Sequence, residues 1–251
     1  MKKQRFILIL SAVLAVGLAG CSSQNHKNQS NQKAALSANM QNSSSTASST
    51  KKAHATKSLS DYQYKVPKKV ADSKNYVKDG NLTSPSQFSY DRFGTEQTLT
   101  KIATNAAVLS AGNVSYKVNK VRVLKNTAKT SEAKTAAEQV LNISSIPDTY
   151  FTFVLNYTVT NKHNTTIALN GVQSVKTDAG QTMTTADQLS DSSAGNKIPA
   201  NESATFVMNG YLYDYQSKPA KKLFINFGSL FDTHGKKISD SPNRKLIVKL
   251  D

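Results

Sequence analysis

The sequence predicts an all-β fold for residues 94–251, a β-sandwich that carries one short helix. Short apolar segments alternate with polar turns along this region, and about seven such strands are typical of two packed antiparallel sheets. Helical spacing of apolar residues occurs in a single segment, residues 131–141. A region of about 150 residues can bury a core without disulfides.

The first 20 residues have the features of a secretory signal peptide. A basic start of two lysines and one arginine precedes an apolar run that ends at Gly20. This run is shorter than the ~20 apolar residues that a membrane-spanning helix needs. The pattern therefore predicts export and cleavage of residues 1–20.

The segment Leu18-Ala-Gly-Cys21 contains the only cysteine of the chain and resembles the lipobox of bacterial lipoproteins. The resemblance implies cleavage between Gly20 and Cys21 and a diacylglyceryl lipid on Cys21, which would anchor the protein to the extracellular face of the cell membrane. An ordinary cleaved signal with a chance cysteine and an uncleaved anchor are the alternatives. A single cysteine excludes a disulfide within the chain.

Two segments separate the signal from the sandwich. Residues 21–60 are rich in Ser, Asn, Thr and Lys with few apolar residues, a composition that predicts a disordered tether. Residues 61–93 contain several aromatic residues without a sustained period, and Pro67, Gly80 and Pro85 interrupt them. We expect an extended, partly ordered leader there.

The first strands are indicated by alternating apolar and polar residues. Val114–Val118 alternates, and the alternation resumes at Val121 after a shift of one residue, which predicts a β-bulge or bend at Asn119-Lys120. Residues 151–160 alternate without interruption and form the clearest strand in the chain. Between these strands, residues 131–141 predict a helix that crosses the end of a sheet.

The remaining strands follow from similar patterns. A turn at residues 161–164 precedes a strand at 165–169, which we expect residues 172–176 to continue. Asp178-Ala-Gly180 has the residue types that a turn requires. The set is completed by residues 204–213, 222–227 and 246–250.

From about residue 94 to 250 the chain resembles the uncharacterised lipoproteins of Gram-positive bacteria that carry a telokin-like, immunoglobulin-like β-sandwich domain. The segments that carry the resemblance are Tyr116–Val118, Phe151–Asn161, Asp178–Gly180, Ile198–Glu202 and Thr205–Val207. It implies an immunoglobulin-like fold and an extracellular setting, and supplies no catalytic residues. Asn201 stands where Gly is usual, and Asn tolerates the left-handed conformation of such a corner.

The charge of the chain favours an anionic partner. Cleavage after Gly20 removes three of the 32 basic residues and no acidic residue, which lowers the formal net charge from +16 to +13. Such a balance suits lipid head groups or phosphate-rich wall polymers. Nucleic acid is not expected, because no basic stripe is interleaved with aromatic residues and Trp is absent. Lysines that only keep the surface soluble are the alternative.

The sequence shows no pattern that predicts catalysis. Ser131-Glu-Ala-Lys134 has the spacing of a serine nucleophile with its lysine, but the partner motifs of those enzymes are missing. Asp187 and Asp191 could hold a weak Ca²⁺, although the spacing of a calcium loop is absent and solvated carboxylates are expected. We therefore predict no enzyme activity, no cofactor and no metal site.

One aromatic cluster is a candidate ligand-binding face. Tyr211, Tyr213 and Tyr215 would lie on one side of a strand, with the lysines that follow beside them. These lysines are Lys218, Lys221 and Lys222. Rings beside cations suit sugars or wall polymers, and tyrosines that cover a sandwich edge are the alternative. The sequence thus predicts a non-catalytic module that binds an anionic wall polymer, or alternatively a protein-interaction or adhesion module.

Overall fold

The computed structural model describes residues 59–104 and 107–250 of the chain, which form an all-β sandwich with two helices. The predicted signal peptide, Cys21 and the tether up to residue 58 lie outside the described residues. Helices and strands have these bounds: α1 (Lys68–Ala71), β1 (Phe88–Tyr90), β2 (Thr95–Ala103), β3 (Val108–Ala111), β4 (Val114–Ala128), α2 (Ser131–Leu141), β5 (Thr149–Asn161), β6 (Ile167–Leu169), β7 (Val172–Thr177), β8 (Thr182–Met183), β9 (Leu189–Asp191), β10 (Lys197–Ile198), β11 (Ser203–Leu212), β12 (Lys222–Phe227), β13 (Leu230–Phe231), β14 (Lys237–Ser239) and β15 (Leu246–Lys249).

The strands pair antiparallel in three sheets. The largest has the order β1-β2-β4-β5-β11-β9, with β3 beside β4 on the same side as β2. Two four-stranded sheets have the orders β10-β6-β13-β14 and β15-β12-β7-β8. Buried side chains of the seven-stranded sheet and of both smaller sheets form one apolar core. The seven-stranded sheet is therefore one layer of the sandwich, and the two smaller sheets supply the other.

Aromatic stacking occurs at the centre of this core. The ring centroids of Tyr116 on β4 and Phe227 on β12 lie 3.9 Å apart, and Tyr157 on β5 packs beside Phe227 at 5.6 Å. All three side chains are at most 2% exposed. Their contacts join the two layers, as expected for the interdigitated core of a sandwich.

The predicted bulge in the first long strand is confirmed. Val118 pairs with Tyr157 and Lys120 pairs with Asn156, so Asn119 is an extra residue in β4. The bulge keeps the valines on both sides of it facing the core. It explains why the sequence alternation shifts by one residue at this point.

The prediction that residues 172–176 continue the preceding strand is wrong. β6 and β7 belong to different sheets, because the chain changes direction at Gly171, where φ is 78°. An added Cβ at Gly171 would lie 2.6 Å from the Asp191 carboxylate and 2.8 Å from the Ala194 Cβ. Only glycine combines this conformation with so close an approach.

Residues 59–93 pack against the seven-stranded sheet. β1 extends that sheet as an edge strand, and Leu82 is buried with Leu99 and Leu124 in a second apolar cluster. The Tyr64 ring stacks on Tyr90 at a centroid distance of 5.3 Å. The segment expected as a leader thus contributes both a strand and a buried side chain to the fold.

The predicted helix has the expected bounds in α2. The Thr130 hydroxyl accepts a hydrogen bond from the Ala133 amide and caps its start. Asn142 ends the helix in a left-handed conformation, at φ 52°. The structure adds a second, four-residue helix, α1, in the segment before the sandwich. Neither helix of the described residues has the length and hydropathy that crossing a membrane requires.

Candidate functional site

Within residues 59–104 and 107–250, the outer face of the seven-stranded sheet is covered at one end and open at the other. At the covered end, Leu82 and Leu124 form one cluster, while Leu141, Ile146 and Tyr150 form another beneath α2. The open end, which we call the open face, consists of outward residues on three adjacent strands. They are Ser115, Lys117, Asn119, Lys120 and Arg122 of β4, Asn156, Thr158 and Thr160 of β5, and Ser203, Thr205 and Val207 of β11.

Hydroxyl groups form a ladder across the open face. The Thr158 and Thr205 hydroxyls lie 3.0 Å apart, and those of Thr160 and Ser203 lie 2.8 Å apart. The Asn119 side-chain amide donates a hydrogen bond of 2.9 Å to the Thr158 hydroxyl. The bulge therefore adds an amide group to a surface of paired hydroxyls. Each pair uses one hydroxyl proton internally and keeps the other for a ligand atom.

The open face is basic. On this face β4 carries Lys117, Lys120 and Arg122, whereas β3, β4, β5 and β11 contain no Asp or Glu. The ion pairs found among the described residues involve other lysines, namely Lys129, Lys134 and Lys237. Positive charge on three neighbouring outward positions is thus available to an anionic ligand.

Arg122 is held at the boundary between the covered and open ends. Its Nη1 donates a hydrogen bond of 3.0 Å to the Asn81 side-chain oxygen. Partial burial lowers the pKa of its guanidinium from the ordinary value, although arginine remains charged at neutral pH. The contact fixes one cation in place, which reduces the entropy that a ligand would have to remove.

The predicted tyrosine face is not one surface. β11 ends at Leu212, so Tyr213 and Tyr215 lie in the turn beyond it. Tyr213 is 69% exposed, whereas Tyr215 is 5% exposed and packs against Phe151 at 5.2 Å. The expectation that all three tyrosines share one side of a strand is wrong, because the strand ends too early to continue the alternation.

The predicted lysines lie outside the hollow that Tyr211 and Tyr213 line. Lys218 follows the turn after β11, and Lys221 and Lys222 enter β12, where both backbone amides bond to the Asp178 carboxylate at 2.9 and 3.2 Å. None of the three lines the hollow formed beside Tyr211 and Tyr213. The predicted rings and cations therefore do not line one common site.

Asp191 has a structural role that sequence reasoning missed. Its carboxylate accepts hydrogen bonds from the Tyr157 hydroxyl at 2.8 Å, the Val172 amide at 2.8 Å and the Ser193 hydroxyl at 2.7 Å. It links β9 to β5 and β7, so the expectation of a solvated loop carboxylate is wrong. Asp187 stays in the exposed hairpin before β9.

The other candidates for chemistry are also engaged elsewhere. Ser131 starts α2 and its hydroxyl bonds to Glu132, while Lys134 forms an ion pair of 3.2 Å with Asp148. In the described ranges, no three His, Cys, Asp or Glu residues are grouped closely enough to hold a metal ion. The open face is therefore the surface whose polar side chains all suit the same kind of ligand, an anion.

Comparisons with known proteins add little to this picture. No protein-family model and no curated protein sequence matches the chain. A functionally unknown protein from Listeria monocytogenes EGD-e is similar in structure, with a TM-score of 0.42, 12% identity, and coverage of 62% of this chain and 88% of its own. A Northeast Structural Genomics Consortium target has a TM-score of 0.33 and 10% identity, and the match covers 55% of this chain and 86% of the target. The assignment as an all-β sandwich rests on the strands and sheets of the chain itself.

Proposed function

We propose that this protein is a lipid-anchored, non-catalytic binding module that holds a phosphate-rich polymer at the extracellular face of the cell membrane. The observation that carries this proposal is the open face, where Lys117, Lys120 and Arg122 lie among ordered hydroxyls on strands without any acidic residue. Cys21, through the resemblance of its surroundings to a lipobox, supplies the anchor.

Phosphate groups fit the donors of this surface. Lysine and arginine form charge-assisted hydrogen bonds with phosphate oxygens, and hydroxyl and amide groups add neutral ones. A sheet face with repeated donors suits a repeating polymer better than a single small ligand. Because exposed charges are screened by salt, such binding should weaken as ionic strength rises.

A protein partner is the second candidate, and it is favoured by an edge strand. β15 is the last strand of its sheet, and Ile247 on it is 51% exposed. A strand at the edge of a sheet can pair with a strand from another chain. Crosslinking on intact cells from a position next to Ile247 would recover one specific protein if this candidate is right, and none if it is wrong.

Retention on isolated cell walls tests the proposed function. The probe is the unlipidated chain, residues 21–251 with Cys21→Ser, applied to walls before and after extraction of their phosphate polymers. We expect retention that extraction abolishes and that moderate salt reverses. Retention that survives extraction, or no retention at low salt, would contradict the proposal.

A further inference from the structure

A hollow of about 430 Å³ lies at one end of the sandwich, and its lining differs in charge from the open face. It is formed by the start of β5 and by the turn that follows β11. Its volume falls within the ~300–1,000 Å³ typical of small-ligand sites. Nothing in the proposed polymer binding uses it.

Three tyrosine rings line this hollow, and each neighbouring pair is packed edge to face. Tyr150 and Tyr211 have centroids 6.4 Å apart at an interplanar angle of 67°, and Tyr211 and Tyr213 are 6.3 Å apart at 77°. Tyr150 is buried, Tyr211 is half-buried and Tyr213 is 69% exposed. The Tyr213 ring therefore contributes nothing to the core. Together the three tyrosine rings present their π faces at different angles to the hollow.

The hollow lacks the positive charge of the rest of the chain. Of the described residues that line it, Asp214 is the only charged one, although the exported chain carries a net charge of +13. Burial and the neighbouring Tyr213 and Asp214 raise the pKa of Tyr211 above its ordinary value. An anion would meet a carboxylate and the negative faces of aromatic rings there, whereas a cation would be attracted by both.

A side chain from the opposite layer holds the tyrosines in place. Gln181 follows the turn after β7. Its side-chain nitrogen donates a hydrogen bond of 2.7 Å to the Tyr211 backbone carbonyl, and its side-chain oxygen accepts one of 3.1 Å from the Tyr213 backbone amide. Asp214 follows with φ 51°, a conformation that Asp tolerates better than most residues. Gln181 thus fixes the backbone at both tyrosines, and the Ser217 hydroxyl donates a hydrogen bond to the Asp214 carboxylate.

We propose that this hollow binds an organic ammonium group, with Tyr211 and Tyr213 supplying cation–π contacts and Asp214 the counter-charge. A methylated ammonium is the best fit, because it contacts rings over its whole surface and sheds little water. This site is separate from the open face. Ammonium binding in the hollow therefore does not require that the polymer bound at the open face carry ammonium groups.

Titration with choline, followed by the NMR signals of the tyrosine rings in the unlipidated chain, tests the proposal. The matched probes are 3,3-dimethylbutan-1-ol, which has the shape of choline without its charge, and glucose. We expect choline to shift the signals of Tyr211 and Tyr213, and the neutral alcohol to bind at least ~5-fold more weakly, as the loss of a cation–π contact implies.

Variants locate the binding. Tyr213→Ala should weaken choline binding about tenfold, whereas Tyr213→Phe keeps the ring and most of the affinity. Asp214→Asn should weaken it severalfold without disturbing the fold, because Asn also tolerates φ of 51°. Equal binding of choline and the neutral alcohol, binding of glucose alone, or no shift of these tyrosines would each overturn the proposal.

Discussion

At the scale of single residues, Asp191 contributes most clearly to the stability of the fold. It joins three strands through hydrogen bonds from Tyr157, Val172 and Ser193. Since all these partners donate, the carboxylate satisfies buried groups that would otherwise lose their hydrogen bonds. A residue that composition alone assigns to a polar loop is therefore part of the framework.

Asp191→Asn should lower the free energy of unfolding by about 2 kcal/mol, because the new amide would direct an N–H toward groups that are themselves donors. Urea denaturation measures the change. Asp187→Asn, in the exposed hairpin before β9, is the matched control and should cost less than about 0.5 kcal/mol. Equal effects of both substitutions would contradict the role of Asp191.

Buried tyrosines predict a loss of stability at alkaline pH. Burial raises the pKa of Tyr116 and of Tyr150 from 10.0 to about 12, and burial together with the Asp191 charge raises the pKa of Tyr157 still more. As pH rises above 10, the unfolded chain loses protons that the native state keeps. The stabilisation is therefore complete below pH 10 and declines toward pH 12, with each tyrosine contributing up to about 1.4 kcal/mol per pH unit.

Urea denaturation at a series of alkaline pH values measures this decline. Tyr116→Phe keeps the ring against Phe227 and removes the hydroxyl, so the decline should become shallower. Tyrosinate absorbance is easily followed because the chain has no Trp. A decline unchanged in Tyr116→Phe, or ionisation of these tyrosines near pH 10 in the folded protein, would refute the prediction.

At the scale of elements, the strongest sequence patterns predicted the correct element types. Residues 131–141 and 222–227 coincide with α2 and β12, and the uninterrupted alternation of residues 151–160 lies within β5. In each case the information is local: a period, a capping residue or a turn. β2 has no such local pattern, because its burial does not alternate and its partners lie on β4 and in the preceding segment.

The features that sequence reasoning missed depend on distant contacts. The change of sheet at Gly171 requires Asp191 and Ala194, which no local pattern around residue 171 indicates. The open face had a visible signal, the outward Thr and Asn of β5, but recognising it as a surface requires its neighbours on β4 and β11. The positions of Tyr213 and Tyr215 follow from where β11 ends, a boundary that alternation alone does not fix.

The β4 bulge offers a test of how the element is built. Deletion of Asn119 would leave Val118 opposite Tyr157 and Lys120 opposite Asn156, so every pair and every inward valine could remain. We expect a folded protein with a normal urea transition and a weakened polymer affinity, since the amide bonded to Thr158 is lost. Deletion of Val123 is the control; it reverses the faces of the residues that follow and should prevent folding. Unfolding caused by loss of Asn119 would contradict this view of the bulge.

At the scale of the whole molecule, one sheet separates two kinds of surface. Its inner face contributes to the core, and its outer face is divided between an apolar end, covered by residues from the N-terminal segment and α2, and the basic open face. Covering one end removes apolar residues from water, which leaves the hydroxyls and cations of the other end as the exposed part. Binding at the open face would therefore require no rearrangement of the sandwich.

The central claim is that the open face, rather than the overall positive charge, binds a phosphate polymer. The most direct measurement is the affinity of the unlipidated chain for soluble wall phosphate polymer in two double variants with the same change in net charge. Lys117→Glu with Lys120→Glu alters the open face, and Lys218→Glu with Lys221→Glu alters two lysines outside it. We predict roughly a tenfold or greater loss for the first pair and little for the second, as expected when the site has a defined location. Equal losses would show that only net charge matters, and a larger loss for the second pair would place binding near β12; either result would contradict the account.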